Sequence, residues 1–308
     1  MSLKNNLRGK SLLSLSSLTN EDILKIFEVA KVIRQKKQNH QLKLQNLDKS
    51  MALVFFEPST RTRASFQFAG FNLGMPVHSQ FYGNETSATK GEGEVDTILN
   101  ILAMRPDILV VRYGDLPEVD EFLSNLATPV INGGSGRRGH PTQALGDLFT
   151  IWSERQNWQK EKLLLIGDIN HSRVAASLME ICDKFQIEYG LCGPDGWLPN
   201  KGKHFNLVDG LKWCSVCVPL RIQWERHSDR DTSPWRDKEK YHRSFGISES
   251  SLKSFADGLI LSPGPINFGV EMSREVMNDR RCRVLQQVDN GVFVRTALIS
   301  EVLGIEIK

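Results

Sequence analysis

Short apolar runs alternate along this chain with longer stretches in which apolar positions recur every three or four residues. The runs at 51–56, 107–111, 162–166, 187–192 and 257–261 are bounded by Gly, Pro, Asp or Arg, the pattern of strands covered on both faces. Helical spacing fills 63–73, 92–104, 141–153, 173–184 and 291–303. An opening amphipathic helix is announced by Thr19-Asn-Glu-Asp22, after which Ile23, Ile26, Phe27, Ala30 and Ile33 share one face. Strand and helix in alternation predict an α/β fold: two doubly wound parallel-sheet domains of similar size, joined by crossing helices. The polar stretch from Trp152 to Lys162 places the domain boundary near 150. The charged, Ser-rich segment 226–250 reads as a mobile loop with some helix.

Composition narrows the function classes. With 308 residues and 40% apolar content, the chain can bury a core in one or two domains. No stretch approaches ~18 apolar residues and the N-terminus lacks a signal-peptide core, so a cytoplasmic location without membrane insertion is expected. A net charge of +3 with scattered Lys and Arg gives no nucleic-acid footprint but leaves small anions as partners. Four of the five cysteines, Cys182, Cys192, Cys214 and Cys217, lie in or beside apolar runs. Cys214-x-x-Cys217 is half a zinc pattern without a matching second half, so buried strand thiols are expected and no metal site.

The chemistry-bearing residues gather at strand-to-helix junctions. Ser59-Thr60-Arg61-Thr62-Arg63 follows the first apolar run and opens a helix. Free N–H groups of a first helical turn, three hydroxyls and a guanidinium fork suit a phosphate; the alternative is a plain N-cap with exposed arginines. Arg112 ends a predicted strand, where ligands of open α/β sheets collect. Gly133-Gly-Ser-Gly-Arg-Arg-Gly139 leads into His140-Pro141-Thr-Gln143, which sets an imidazole at a helix start and an amide one turn on. The histidine could donate to a polarised carbonyl, or could simply cap. Leu163-Leu-Leu-Ile-Gly-Asp168-Ile-Asn-His-Ser-Arg173 repeats the strand-turn-helix theme with one glycine, too few for a nicotinamide fingerprint. Arg221 and Gln223 alternate onto one side of an extended segment, and Arg173 with Arg221 suggests a dicarboxylate. No Ser-His-Asp spacing, Walker loop or metal-ligand cluster is visible, so group transfer between bound substrates fits best.

These segments together resemble the catalytic chains of aspartate carbamoyltransferases, from Leu15 to the C-terminus. Phe56-Glu-Pro-Ser-Thr-Arg-Thr-Arg63 and His140-Pro-Thr-Gln143 resemble the carbamoyl phosphate signatures of the aspartate/ornithine carbamoyltransferase family. Arg221-x-Gln223-x-Glu225-Arg226 is similar to its aspartate signature, while the ornithine motifs are missing. The resemblance implies a carbamoyl phosphate-binding domain over 1–150, with a C-terminal helix at about 290–308 packing back on it, and an aspartate-binding domain over 151–289, with the active site in the cleft. It implies transfer of the carbamoyl group to L-aspartate in pyrimidine synthesis, without a metal or organic cofactor. Ser59, Thr60, Arg61 and Thr62 would hold the phosphate; Thr62, Arg112 and His140 the carbonyl oxygen; Gln143 with the carbonyls of Pro263 and Gly264 the carbamoyl NH₂. Arg173 would bind the α-carboxylate of aspartate, and Arg221 with Gln223 the β-carboxylate. Ser87-x-x-Lys90 resembles a loop that crosses into a neighbouring subunit's site, which implies a homotrimer with shared active sites. Glu57, Arg173 and Arg226 match positions of interdomain ion pairs.

Two departures stand out. Ser262-Pro-Gly-Pro265 and Phe268 replace the family's His-Pro-x-Pro and a following Arg, which bears on how that loop is held; a cis Gly264–Pro265 bond is expected there. The 133–139 loop lacks the usual acidic residue and carries two extra cations. Alternatives are a carbamoyltransferase for another amine such as ornithine, or a non-catalytic trimeric scaffold for a dihydroorotase or regulatory chain.

Overall fold

The computed structural model describes residues 6–42, 46–81, 91–136, 138–227 and 233–307. The chain forms two compact units: Met1–Phe149 with Val288–Lys308, and Thr150–Gln287. Among the described residues no helix is long and apolar enough to cross a membrane.

The first unit is built on a four-stranded parallel sheet in which β1 (Met51–Phe55) and β3 (Ile108–Tyr113) are central, flanked by β2 (Val77–Phe81) and β4 (Val130–Ser135) in the order β2-β1-β3-β4. Every residue of β1, β3 and β4 is buried, as expected of strands covered by helices on both faces. Those helices are α1 (Asn20–Gln38), α2 (Thr60–Asn72), α3 (Glu94–Leu102) and α4 (Pro117–Ser124), with α5 (Pro141–Glu154) running across the unit boundary. The start of α1 is a complete capping box: Asp22 N–H donates to Thr19 Oγ1 at 3.1 Å and Thr19 N–H donates to Asp22 Oδ2 at 3.0 Å. Its apolar face, Ile23, Ile26, Phe27, Ala30 and Ile33, is fully buried, and Phe27 meets Phe149 edge to face at 5.5 Å.

The second unit carries a five-stranded parallel sheet. Its strands are β5 (Lys162–Ile166), β6 (Glu188–Cys192), β7 (Lys203–His204), β8 (Val216–Pro219) and β9 (Leu259–Ile260), in the order β7-β6-β5-β8-β9. Its helices include α6 (Arg173–Phe185), α7 (Leu207–Trp213) and α8 (Lys238–Phe245), and α9 (Val284–Leu303) carries the chain back to the first unit. The sheet turns sharply after β5 at Gly167, whose φ is +116° and where a Cβ would lie 2.9 Å from the carbonyl oxygen of Leu220. Only glycine tolerates both.

Several boundaries differ from the periodicity reading. Helix α2 starts at Thr60 rather than 63 because Ser59 caps it, so polar residues open the helix before its apolar face begins. Helix α3 is shorter than 92–104, β9 shorter than 257–261, and α9 begins seven residues before 291. The glycines of β4 hid a strand that lies against β3, and the single-Cys segment of β8 was too short to register. Cys214 and Cys217 are packed with Leu164, Ile166, Cys192 and Ile260 in the core. Burial pushes the Cys214 thiol up to about 12 and Cys217 well upward, as expected of cysteines that pack as small hydrophobes. Within 226–250, α8 is capped by Asp237 and buries Tyr241 beside Trp197, Ile222 and Val270.

Phe27→Ala removes the ring that joins α1 to Phe149 in a fully buried position. It is expected to destabilise the first unit by about 3–5 kcal/mol, read as an earlier midpoint in urea unfolding followed by circular dichroism.

Candidate functional site

In the first unit the predicted residues lie at the carboxyl ends of the parallel strands. Ser59 N-caps α2, and the Thr62 N–H donates to its Oγ at 3.4 Å. The first intrahelical bond runs from Arg63 N–H to the Ser59 carbonyl at 3.3 Å. The N–H groups ahead of Thr62 therefore have no partner within the helix, and Thr60 and Arg61 beside them are exposed. Thr62 points inward instead: at 6% exposure its Oγ1 lies 3.3 Å from Nε2 of His140, itself 5% exposed. Two groups 78 positions apart in the chain thus converge beside a helix N-terminus, where developing negative charge is favoured.

His140 sits just ahead of Pro141, and its carbonyl accepts the N–H groups of Gln143 and Ala144 at 3.0 and 3.2 Å, so it terminates the backbone of α5 as an N-cap does. Arg112 occupies the end of β3 where the register against β4 shifts between Val111 and Tyr113; such irregularities re-aim a side chain. Its Nη1 donates to the Gly133 carbonyl at 3.2 Å and its Nη2 lies 3.7 Å from Glu57 Oε2. Gln143, one turn into α5, donates through Nε2 to Asp147 Oδ1 at 2.7 Å. Of the two extra cations in the glycine-rich loop, Arg138 pairs with Asp120 and lies 3.8 Å from Asp115, so its charge is countered locally. Arg137, Ser87 and Lys90 lie outside the described residues.

In the second unit, Arg173 opens α6 behind its N-cap Ser172, whose Oγ accepts the Ala175 N–H at 3.2 Å. Arg221 presents both terminal nitrogens to Glu225, one at 3.1 Å, and donates from Nη2 to Gln223 Oε1 at 2.8 Å. Gln223 in turn donates to the Arg221 carbonyl at 3.2 Å. Partial burial works against ionisation of the Glu225 carboxyl, but hydrogen bonds from Arg221 and the backbone, with the charges of Arg221 and Arg226, outweigh it and hold the group below the usual carboxylate range. The fork is thus already shaped to a carboxylate.

A group that sequence reasoning passed over holds this segment in place. Asp168, with no exposed surface, sits 2.6 Å from His171 Nδ1 and 2.8 Å from His227 Nε2, and accepts the Gln223 N–H at 3.0 Å. The two imidazoles lie tilted at 44° with centroids 4.1 Å apart, and Trp197 meets His227 edge to face at 4.7 Å. Arg226 donates to the His171 carbonyl at 2.7 Å. Asp168, His171 and His227 are also, among the described residues, the group whose ligand atoms, all within 4.8 Å of one another, could hold a metal ion; as placed, the carboxylate bridges the two imidazoles and the Gln223 N–H and anchors 221–227. A signal existed for Asp168, at the end of a predicted strand ahead of Arg173; none existed for His227.

The 262–268 loop is held without the missing His and Arg. Ser262 Oγ donates to the Pro219 carbonyl at 3.1 Å and its N–H donates to Gln287 Oε1 at 2.7 Å. Buried Glu271 accepts from the N–H groups of Ile222 and Asn267 at 3.1 and 2.8 Å and from the Asn267 amide at 3.1 Å. The Gly264–Pro265 bond is cis.

Comparison with known proteins places these features in a family. Residues 10–153 match the model described as aspartate/ornithine carbamoyltransferase, carbamoyl-P binding domain, and residues 159–302 match aspartate/ornithine carbamoyltransferase, Asp/Orn binding domain. The aspartate carbamoyltransferase catalytic subunit of Aliarcobacter butzleri is 38% identical over 297 residues, 95% of this chain and 97% of its own length. That of Streptococcus uberis is 34% identical, with 98% of each chain covered. The crystal structure of Trypanosoma cruzi aspartate transcarbamoylase in complex with carbamoyl phosphate and aspartate superposes with a TM-score of 0.83 at 26% identity, covering 97% of this chain and 98% of that one. Matched over both units and nearly its whole length, the chain belongs to the aspartate/ornithine carbamoyltransferase family.

Proposed function

We propose that this chain is an aspartate carbamoyltransferase, which moves the carbamoyl group of carbamoyl phosphate to the amine of L-aspartate and releases N-carbamoyl-L-aspartate and phosphate in pyrimidine synthesis. The amine lone pair attacks the carbonyl carbon, a tetrahedral oxyanion forms, and the bond to the phosphate oxygen breaks. The departing phosphate is basic enough to take the proton that the amine sheds. No protein nucleophile is needed, so the protein's contribution is orientation and charge stabilisation.

Each half of the reaction has its residues. Ser59, Thr60, Arg61 and Thr62 cradle the phosphate at the start of α2; Thr62, Arg112 and His140 face the carbonyl oxygen; Gln143 and the carbonyls of Pro263 and Gly264 take the NH₂. Arg173 binds the α-carboxylate, and Arg221 with Gln223 binds the β-carboxylate. The observation that carries the choice of acceptor is the Arg221 fork clasping the Glu225 carboxylate. A planar cation of that shape attracts a diacid, whereas the second ammonium of ornithine would be repelled. A homotrimer, with Ser87 and Lys90 supplied by a neighbouring copy, and a cytoplasmic location belong to the same reading. Five unpaired cysteines suit a reducing compartment.

Purified protein offered carbamoyl phosphate is expected to consume it with aspartate and not with ornithine, at a particle mass of three chains in light scattering. Turnover with ornithine alone would overturn the acceptor, and none with either would leave a scaffold. Arg61→Ala should lower kcat by about a hundredfold or more, since one preorganised charge contact to a transition state is worth roughly 3 kcal/mol. Arg221→Ala should instead raise KM for aspartate by about a hundredfold, charged hydrogen bonds being worth roughly 1.5–3 kcal/mol each, while inhibition by inorganic phosphate stays as in the parent.

A further inference from the structure

We infer that Asp147 is a positioning residue that sets which end of the Gln143 amide meets the donor substrate, and so makes the site selective for a carbamoyl over an acetyl group. The inference rests on the reading above, in which Gln143 faces the carbamoyl nitrogen. A glutamine amide has a donating and an accepting end, and nothing in its own chemistry chooses between them. Asp147 chooses. It is 1% exposed, one turn beyond Gln143 on α5, and 2.7 Å from Gln143 Nε2. A carboxylate only accepts, so the NH₂ of Gln143 is committed to Asp147 and Oε1 is the end left for an incoming donor.

A buried cation, Arg295, lies within electrostatic reach of Asp147. This guanidinium on α9 is 4% exposed and stacks over Phe66 with its carbon 5.2 Å from the ring centroid. The two helices meet backbone to backbone, a Cβ at Gly146 falling 3.4 Å from Gly291 Cα, and Asp147 and Arg295, on the two helices that cross there, are both buried. Loss of hydration brings Arg295 down to about 10, with the Asp147 charge opposing the shift, so it remains a cation at neutral pH. The order Arg295, Asp147, Gln143 runs from a buried positive charge to an oriented carbonyl oxygen.

The chemical consequence is discrimination. Carbamoyl phosphate presents an NH₂ to Gln143 Oε1, whereas acetyl phosphate presents a methyl and leaves that oxygen unsatisfied, a loss that sites built to bond an N–H or O–H use to reject analogues. In Asp147→Asn the new amide turns its oxygen to Arg295 and its NH₂ to Gln143. Gln143 then reverses and meets the substrate NH₂ with its own.

The test compares inhibition by acetyl phosphate with KM for carbamoyl phosphate, with inorganic phosphate as a reference ligand that never meets Gln143. In Asp147→Asn the preference for carbamoyl over acetyl phosphate is expected to fall by about tenfold or more, as for one lost hydrogen bond, with phosphate inhibition unchanged and the preference kept in Asp147→Glu. Because inactive protein cancels in a ratio, a purely structural role would not move it. Should the single variant fail to fold, Asp147→Leu with Arg295→Met removes both buried charges at once and takes away the acceptor that commits the Gln143 NH₂, so the preference must again fall. An unaltered preference in a folded variant, or failure of both to fold, overturns the proposal and leaves Asp147 a structural counter-charge. If the parent protein itself does not turn over carbamoyl phosphate, it is the underlying function that falls.

Discussion

A guanidinium taken out of water must find acceptors before any substrate arrives, and this requirement organises both units. Arg112 leans on the Gly133 carbonyl and Glu57, Arg221 on Glu225 and Gln223, Arg226 on the His171 carbonyl, and Arg295 lies within electrostatic reach of Asp147. An unpaired buried cation would cost several kcal/mol. The carboxylates beside these arginines therefore have two effects: they make the folded state tolerable, and they fix where each fork points. Arg295 differs from the others in being more completely sequestered, which suits a group that acts through Asp147 and never meets a ligand.

The same requirement explains why the chemistry can proceed without a protein nucleophile. Cations and hydroxyls already oriented against fixed partners do not have to reorganise when charge appears on a carbonyl oxygen, and that saving is the main source of electrostatic catalysis. Thr62 and His140 are both nearly closed to solvent and both fixed at a helix start, Thr62 by its N–H to Ser59 Oγ and His140 by its carbonyl to the N–H groups of Gln143 and Ala144. Arg221 illustrates the converse. Its partner Glu225 is half exposed on a one-turn 3-10 helix, so that ion pair is held by local contacts at the surface, whereas Asp168 is fully enclosed and keeps the backbone of Gln223 in register.

What could be read from the sequence follows from the range of the forces involved. Strands β1, β3, β5 and β6 were legible because burial on both faces writes an unbroken apolar run, and α1 because Thr19 and Asp22 cap it within four residues. The position of Ser59 to Thr62, Arg112 and His140 at strand ends and helix starts was legible because an apolar run followed by a polar turn marks such a junction. Strand β4 was not, since its glycines carry no side chain to signal a sheet; Gly136 is needed where a Cβ would come within 2.8 Å of the Asp115 backbone nitrogen. The hub of Asp168, His171 and His227 and the electrostatic influence of Asp147 on Arg295 stayed hidden because each joins positions tens to more than a hundred residues apart, and an isolated His or Arg looks the same whether anchored or solvated.

The 262–268 loop shows how such a constraint can be met by different atoms. If the pattern His-Pro-x-Pro followed by Arg were the only way to fix the backbone carbonyls at Pro263 and Gly264, the change to Ser262 and Phe268 would release them. Here the Ser262 hydroxyl reaches the carbonyl that ends β8, Gln287 caps its N–H, and Glu271 gathers three donors from Ile222 and Asn267. Phe268 even retains a cationic neighbour, with the Arg274 guanidinium 4.1 Å above its ring. For a role assigned to main-chain oxygens, position matters rather than any one side chain, and neutral hydrogen bonds to buried partners fix that position as well as a charged pair. Glu271 also ties this loop to Ile222, beside Arg221, so the 262–268 loop and the 221–227 segment are fixed to one another by a single buried carboxylate.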